Sequence, residues 1–479
     1  MRLASAVGLV LLAMLAVLRI ARPPAPVPAT APDVEFSAER AMGHVEEIAT
    51  RPHPLGTADH DRVRDYIVGE LGSLQLRAQI QRATAIGTRY QSAGRVENVL
   101  AWLPGSSPNG KAVLLVAHYD GVGAGPAAAD DGAGCAAMLE TLRALRARKE
   151  PLKHDVIALF TDGEESGLLG AAAFVREHPW AKDVAVVLNF EARGTTGRSF
   201  MFETGPGNLD AARALRTAGD VTAGSVFTTI YRTLHNDTDL SELALLDTPA
   251  LNFAFADGVE RYHTSRDDLA HLNPGSVQHH GDQMLALAAT FANEDLPRPK
   301  TGEGVFFDLP VIGLVVYPDW LSIPLAIVAL LLVGALVWRV RSGVVVGAAV
   351  SLALILVSAF AARGAGMMFT RAGTWSGLNA LGIVLLVLAI GAICRRAAIR
   401  WSSDRAFHAG GLAALAVLGV VVSILAPGVS YLFVWPVIFA ATAALATHWR
   451  AVLEWLSAAI VLLILAGFAY ATSVVMLGL

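Results

Sequence analysis

The chain has 479 residues, of which 54% are hydrophobic and 16% charged, and its formal net charge at pH 7 is −4. That balance excludes the basic footprint of a nucleic-acid-binding protein, and two cysteines exclude a disulfide framework. The length allows two or three domains, and the apolar excess is too large for an ordinary soluble enzyme.

Leu3 to Leu18 is an uncharged apolar run, with Arg2 before it and Arg19 and Arg22 after it. It is near the short limit for a bilayer span and slightly longer than a usual signal core, so residues 1–22 read as an anchor or a signal. In both cases the following segment is exported. Residues 23–33 are a stiff Pro/Ala-rich linker, in which Ala29-Thr30-Ala31 offers a cleavage site.

Residues 34–298 read as one α/β domain. Helical spacing of apolar residues predicts helices over 37–50 and 59–72, with the loop RPHPLGT between them. Strands are predicted at 96–103, 112–118, 154–161, 184–191, 199–203, 226–231 and 249–256. Helices are predicted at 134–148, 167–178, 208–219, 238–246 and 275–293. This alternation with short links predicts an α/β sandwich built on a mixed sheet. Cys135 falls in this domain and Cys394 in the apolar half, so the two are not expected to pair.

Residues 299–319 read as a connector, and residues 320–479 as an all-α multi-span transmembrane domain. Six apolar runs at 320–338, 343–362, 377–393, 409–425, 431–447 and 455–474 each approach the length needed to cross a bilayer. Trp320, Trp338, Trp375, Trp435 and Trp449 gather toward their ends, as interfacial aromatics do. With the α/β domain outside the cytoplasm, the inner loops carry Arg339, Arg341, Arg395, Arg396, Arg400, Arg405 and Arg450, and the outer loops only Arg363 and Arg371. That asymmetry follows the positive-inside rule, although Arg19 and Arg22 fall on the unfavoured side. Glu454 lies at a span end and no span carries an acidic residue within it, so anchoring is expected rather than transport.

The chemistry concentrates where apolar strands end. His118 directly follows VLLVA, with Asp120 two residues on, placed to fix the imidazole's tautomer. Asp130-Asp131 opens a helix, where the bland alternative is an N-cap. Glu164-Glu165 follows VIALF, and two adjacent carboxylates at a strand end repel each other unless a cation or shared proton is near. Glu191 ends VAVVLNF, and His263 follows the strand at 249–256. Nitrogen and carboxylate ligands without Cys suit zinc, with manganese or cobalt as alternatives. Two His and three carboxylates are few for two separate sites, and one carboxylate bridging two metals resolves the arithmetic. Glu164 is then left over as a general base.

Taken together, HYDG, DDGAG, DGEESGLLG, NFEARG and YHTSRD resemble the di-zinc aminopeptidase family that also contains glutamate carboxypeptidase and glutaminyl cyclase. The resemblance covers roughly residues 40–295 and implies a zinc exopeptidase-like fold with two Zn²⁺ per chain. It implies that His118, Asp130 and Glu191 hold one zinc, and Asp130, Glu165 and His263 the other, with a cis Asp130–Asp131 peptide. It further makes Glu164 the catalytic base and Tyr262 a stabiliser of the oxyanion, with Asp120 beside them. NFEARGTTGRSFMFETGPGN, VFFDLPVIGLVVYP and HNDTDLSEL resemble the endoplasmic-reticulum metallopeptidase and vacuolar membrane protease branch, with a shorter membrane region here.

The expected activity is therefore removal of N-terminal residues from small peptides by a bilayer-anchored enzyme on the periplasmic face of a bacterial inner membrane. A carboxypeptidase remains open within the same family. A glutaminyl cyclase-like acyltransferase needs one zinc and has no use for His118 and Glu191. A non-catalytic exported metal-binding module has no use for Glu164.

Overall fold

The computed structural model describes residues 22–371, 403–446 and 454–460, except 88, 108–109, 235, 297–300 and 310–311, together with isolated positions within 8–19, 382–396 and 452–462. Residues 22–303 form one compact unit, and the described residues from Gly304 onward belong to a second.

The first unit is built on a seven-stranded mixed sheet, ordered β1-β2-β4-β3-β5-β7-β6. Its strands are β1 (Ala78–Ile86), β2 (Ala93–Leu103), β3 (Ala112–His118), β4 (Asp155–Thr161), β5 (Val184–Ala192), β6 (Phe200–Thr204) and β7 (Ala250–Phe255). β4, β3, β5 and β7 run parallel, while β1, β2 and β6 are antiparallel additions at the edges. Every residue of β3, β4 and β5 is buried, as continuous apolar runs must be when helices cover both faces. Leu114, Val116, Ile157, Leu159 and Val187 point to one face and pack on Phe174, Leu240 and Leu243. These come from α4 (Leu169–Glu177) and α7 (Asp239–Leu243). Side chains alternate along a strand, so Val113 and Leu115 face the other layer. That layer holds α1 (Ala38–Ile48), α3 (Gly132–Arg146) and α8 (Pro274–Asn293), while α2 (Ala58–Ser73) precedes β1 and α5 (Leu209–Ala214) follows β6.

Three local expectations change. The segment 226–231, β-branched and aromatic, is a helix, α6 (Ser225–Tyr231), not a strand. Its first turn is buried, and Phe227 packs on Phe200 of the adjacent edge strand, so tertiary packing overrides the β propensity of VFTTIY. β1 was not predicted, because AQIQRATAI is a polar edge strand without an apolar run; it pairs with β2 from Ala78↔Ala101 to Ile86↔Ala93. Residues 23–33, expected as a linker, lie along the domain: Val27 N donates to Gln278 Oε1 at 2.9 Å, and Arg40 Nη1 donates to Ala29 O and Ala31 O.

The second unit opens with a hairpin of β8 (Gly304–Leu309) and β9 (Gly313–Pro318), where a connector was expected, so the unit is not purely helical. Helices α9 (Ser322–Val340), α10 (Val344–Arg371), α11 (Asp404–Leu425) and α12 (Tyr431–Leu445) follow. Ala329, Val333 and Leu336 of α9 pack on Ala409, Leu412 and Ala416 of α11 and on Val437 and Ala441 of α12. α10 and α11 approach so closely that a Cβ at Gly410 would lie 2.3 Å from the Val344 carbonyl oxygen. Among the described residues two helices, Asp319–Val340 and Asp404–Leu425, are long and apolar enough to cross a bilayer. The spans expected over 343–362 and 431–447 coincide with α10 and α12. Those at 377–393 and 455–474, and the apolar run Leu3–Leu18, fall mostly outside the described residues.

Candidate metal centre and substrate cavity

Four parallel strands end on one rim of the sheet, and each delivers part of the site, as the carboxyl ends of such strands do. His118 is the last residue of β3, Glu164 and Glu165 follow β4, and Glu191 lies near the end of β5. His263 follows β7 after a short turn, and Asp130 precedes α3. Residues distributed from 118 to 263 in sequence thus meet within a few ångström.

Asp130 is the centre. Its Oδ1 lies 3.3 Å from His118 Nε2 and its Oδ2 lies 3.1 Å from His263 Nε2. Glu191 Oε2 stands 3.5 Å from His118 Nε2, and Glu165 Oε1 stands 2.9 Å from His263 Nε2. Asn189 Nδ2 donates to the other Glu191 oxygen at 2.9 Å, turning Oε2 toward His118. The Asp130–Asp131 peptide is cis. Asp131 takes the bland role that its pair left open: it caps α3, accepting from Gly134 N at 3.0 Å, and it also accepts from His118 N at 3.3 Å. One aspartate faces the site and the other starts the helix.

Asp120 acts differently from the expectation. The closest partner of His118 Nδ1 is the backbone oxygen of Asp120 at 2.9 Å, while the carboxylate stands off at 3.7 Å. That carboxylate accepts from Glu164 N at 3.0 Å and from Glu165 N at 3.2 Å. The carbonyl therefore sets the imidazole tautomer, and the carboxylate braces the glutamate turn. Asp267 does the same on the far side, accepting from Ala129 N at 2.7 Å and Asp130 N at 3.2 Å. Asp267 closes the motif YHTSRD, but its partners lie more than a hundred residues away in sequence, so spacing does not reveal this task.

The donor set fits a divalent cation. With Nδ1 of His118 donating to a carbonyl, Nε2 presents a lone pair to carboxylate oxygens that are themselves acceptors. Buried Glu165 Oε1 likewise stands 2.9 Å from His263 Nε2 without making a hydrogen bond. Both contacts are repulsive unless a positive charge lies between them. The electrostatics carry the same demand. Burial alone lowers an imidazole, yet Asp130 and Glu165 hold His263 up at about 9, and Asp120, Asp130 and Glu191 hold buried His118 well above its ordinary value. Burial, with Asp130 next to it, raises Glu165 to about 7, and burial raises Glu164 well above the usual carboxylate range. Either protons or metal ions must supply the charge.

Beside these groups lies a cavity of about 440 Å³, lined by Glu164, Glu165, Leu168, Arg193, Tyr262 and Asp237 among others. Tyr262 stacks on His263 with ring centres 3.7 Å apart, and the Arg193 guanidinium sits 5.1 Å from its ring centre. Burial and the nearby Asp130 and Glu165 carboxylates push the Tyr262 phenol up, which keeps it a proton donor. All eight residues singled out from sequence (His118, Asp120, Asp130, Glu164, Glu165, Glu191, Tyr262 and His263) lie at this rim. Arg193 and Asp237 were not singled out as individual residues, although they lie in NFEARG and HNDTDLSEL, two of the motifs that carry the resemblance.

Comparison with known proteins adds the family. Residues 98–288 match the model of peptidase family M28. Endoplasmic reticulum metallopeptidase 1 of Rattus norvegicus is 30% identical over 311 residues, covering 60% of this chain and 34% of the relative. A vacuolar membrane protease of Candida dubliniensis is 29% identical over 290 residues, covering 57% of this chain and 31% of the relative. The chain thus spans about a third of the length of these curated relatives. Among solved structures, a glutaminyl cyclase of Porphyromonas gingivalis aligns with a TM-score of 0.45 and 21% identity, over 54% of this chain and 99% of that one. The match to the family model spans the ends of β3, β4, β5 and β7 from which the site is built, and the chain carries a peptidase M28 domain.

Proposed function

We propose that the protein is a zinc-dependent exopeptidase with two Zn²⁺ per chain, acting as an aminopeptidase on small peptides. The observation that carries this reading is Asp130, whose two oxygens face two different imidazoles at 3.3 and 3.1 Å, each imidazole having its own second carboxylate. His118, Asp130 and Glu191 would hold one ion, and Asp130, Glu165 and His263 the other. When bound, such a pair would supply Lewis acidity and make the attacking water easier to deprotonate.

The chain's own residues do the rest. Glu164, fixed through its N–H by Asp120, accepts a proton from the attacking water and returns it to the departing amine. Tyr262 offers its hydroxyl to the carbonyl oxygen of the scissile bond, where negative charge develops. Neighbouring Glu165 stays with His263 and orients rather than transfers protons. The helices that follow Gly304 serve as a multi-pass anchor that holds the peptidase unit outside the cytoplasm, at the periplasmic face of a bacterial inner membrane.

The test is hydrolysis of aminoacyl-amides with free and with acetylated N-termini, together with a glutaminyl peptide, by zinc-loaded protein and by Glu164→Gln. Cleavage of free amines that falls by about 10²–10⁴ in the variant, with zinc content retained, supports the reading. Cleavage of acetylated substrates alone moves the assignment to a carboxypeptidase. Cyclisation of the glutaminyl peptide without cleavage replaces it with an acyltransferase. Zinc binding with no turnover of any substrate leaves a metal-binding module.

A further inference from the structure

Residues Asn236 and Asp237 of HNDTDLSEL and Tyr90 between β1 and β2 meet at the cavity. Arg89 Nη1 donates to Asp237 Oδ1 at 2.7 Å, and the Tyr90 hydroxyl donates to Asp237 Oδ2 at 3.0 Å. Ser241 Oγ donates to Asp237 Oδ1 at 2.7 Å, fixing the carboxylate to the start of α7. Tyr90 and Asp237 both line the cavity, together with Leu168 of the glutamate loop. The turn is seated rather than free. Gly87 N donates to Ser92 O at 2.8 Å, and a Cβ at Gly167 (φ +107) would lie 2.4 Å from Ser92 Oγ. Glycine at 167 is what lets the turn rest against the glutamate loop.

Building on the peptidase reading, we infer that Tyr90 and Asp237, the latter neutralised by Arg89, form a wall of the substrate side-chain subsite and select an uncharged, apolar or aromatic terminal residue. The cavity is at the small end of the ~300–1,000 Å³ typical of ligand sites, so one wall contacts much of what enters. That wall presents an aromatic ring, and its one carboxylate is neutralised by a guanidinium rather than offered to a ligand. The side chains of Arg89 and Asp237 are 47% and 17% exposed, so the pair balances charge at the cavity edge without being sealed from water. Specificity here is a difference between affinities, set by the repulsive as much as by the attractive partner. Removing Arg89 leaves an anion that attracts a basic side chain. Removing the Asp237 charge leaves a cation that attracts an acidic one.

The experiment compares leucyl-, lysyl- and glutamyl-amides of one leaving group, using zinc-loaded full-length protein, Arg89→Gln and Asp237→Asn. The wild type favours leucine. Arg89→Gln raises the lysine-to-leucine ratio of kcat/KM by about fivefold and Asp237→Asn raises the glutamate-to-leucine ratio similarly, the scale of a partly exposed charge pair. A merely structural role lowers all three substrates together. Both ratios staying within about twofold of the wild type, in a protein that cleaves, overturns the wall and leaves the peptidase standing. Calorimetric binding of leucyl, lysyl and glutamyl hydroxamates reads the same ratios without turnover. Binding ratios that invert in an inert protein keep the wall and remove the peptidase. No binding and no cleavage remove both.

Discussion

Glu164 and Glu165 are neighbours in the chain with different surroundings: Glu165 reaches His263, while Glu164 faces the cavity. What separates them is the position of their backbone, and that position depends on Asp120. Its two oxygens take the N–H groups of both glutamates at 3.0 and 3.2 Å in a region closed to water. Replacing Asp120 by Ala leaves two donors without acceptors, and a buried unpaired donor costs ~1–3 kcal/mol. The expected result is a loss of about 2 kcal/mol or more of stability together with a fall in kcat, whereas Asp120→Asn, which keeps one oxygen, loses less. Thermal melting and steady-state kinetics of the two variants check this. Equal behaviour of Ala and Asn would show that the brace is unimportant.

At the scale of elements, α8 carries a titratable group unrelated to the site. His280 is fully buried between Phe190 and Phe255, with Ser199 Oγ 2.7 Å from its Nδ1. Burial lowers its pKa to about 3, so it stays neutral in the folded protein, while the unfolded chain takes up a proton below about 6.5. The contribution to stability is therefore complete above about 6.5 and declines as pH falls toward 3, by up to about 1.4 kcal/mol per pH unit. His280→Asn, which keeps an acceptor for Ser199, is expected to flatten the fall of the melting temperature between pH 6.5 and pH 4. An unchanged slope would assign the acid sensitivity to the carboxylates alone.

Elements also show what the sequence could and could not convey. β3, β4, β5 and β7 were legible because strands covered on both faces must be continuously apolar; His118, Glu164, Glu165 and Glu191 were legible because they sit at the ends of those runs, whereas Asp130 and His263 lie farther along, on the loops that follow β3 and β7. β1 was hidden, since an edge strand paired on one side needs no apolar run. The helix at Ser225–Tyr231 was hidden because its conformation is imposed by the strand it packs against. Asp237 was hidden for a third reason: its partners lie 147 and 148 residues away, on a turn whose own strand had not been recognised.

At the scale of the whole chain, the peptidase unit and the apolar helices impose different requirements. On the proposed topology, the arginine asymmetry between alternate loops would place the turn after α9 inside and the turn after α11 outside. Cysteine introduced at Ser342 is expected to resist a membrane-impermeant maleimide in intact cells and to react after permeabilisation. Cysteine introduced at Pro427 is expected to react in both, and the reverse pattern would invert the topology and place the peptidase unit in the cytoplasm.

The two sides of the metal centre also differ in their access to water. The His118 and Glu191 side chains are 1% and 8% exposed, whereas His263 is 36% exposed and held at φ +55 on a loop. On the proposed two-zinc reading, loss of metal should therefore proceed in order rather than all at once. A coloured chelator mixed rapidly with the zinc-loaded protein is expected to report a fast phase, sensitive to His263→Gln, and a slow phase limited by opening of the buried side. The chain would then act as its own timer, keeping one ion long after the other has gone and reaching a half-loaded state before it is emptied.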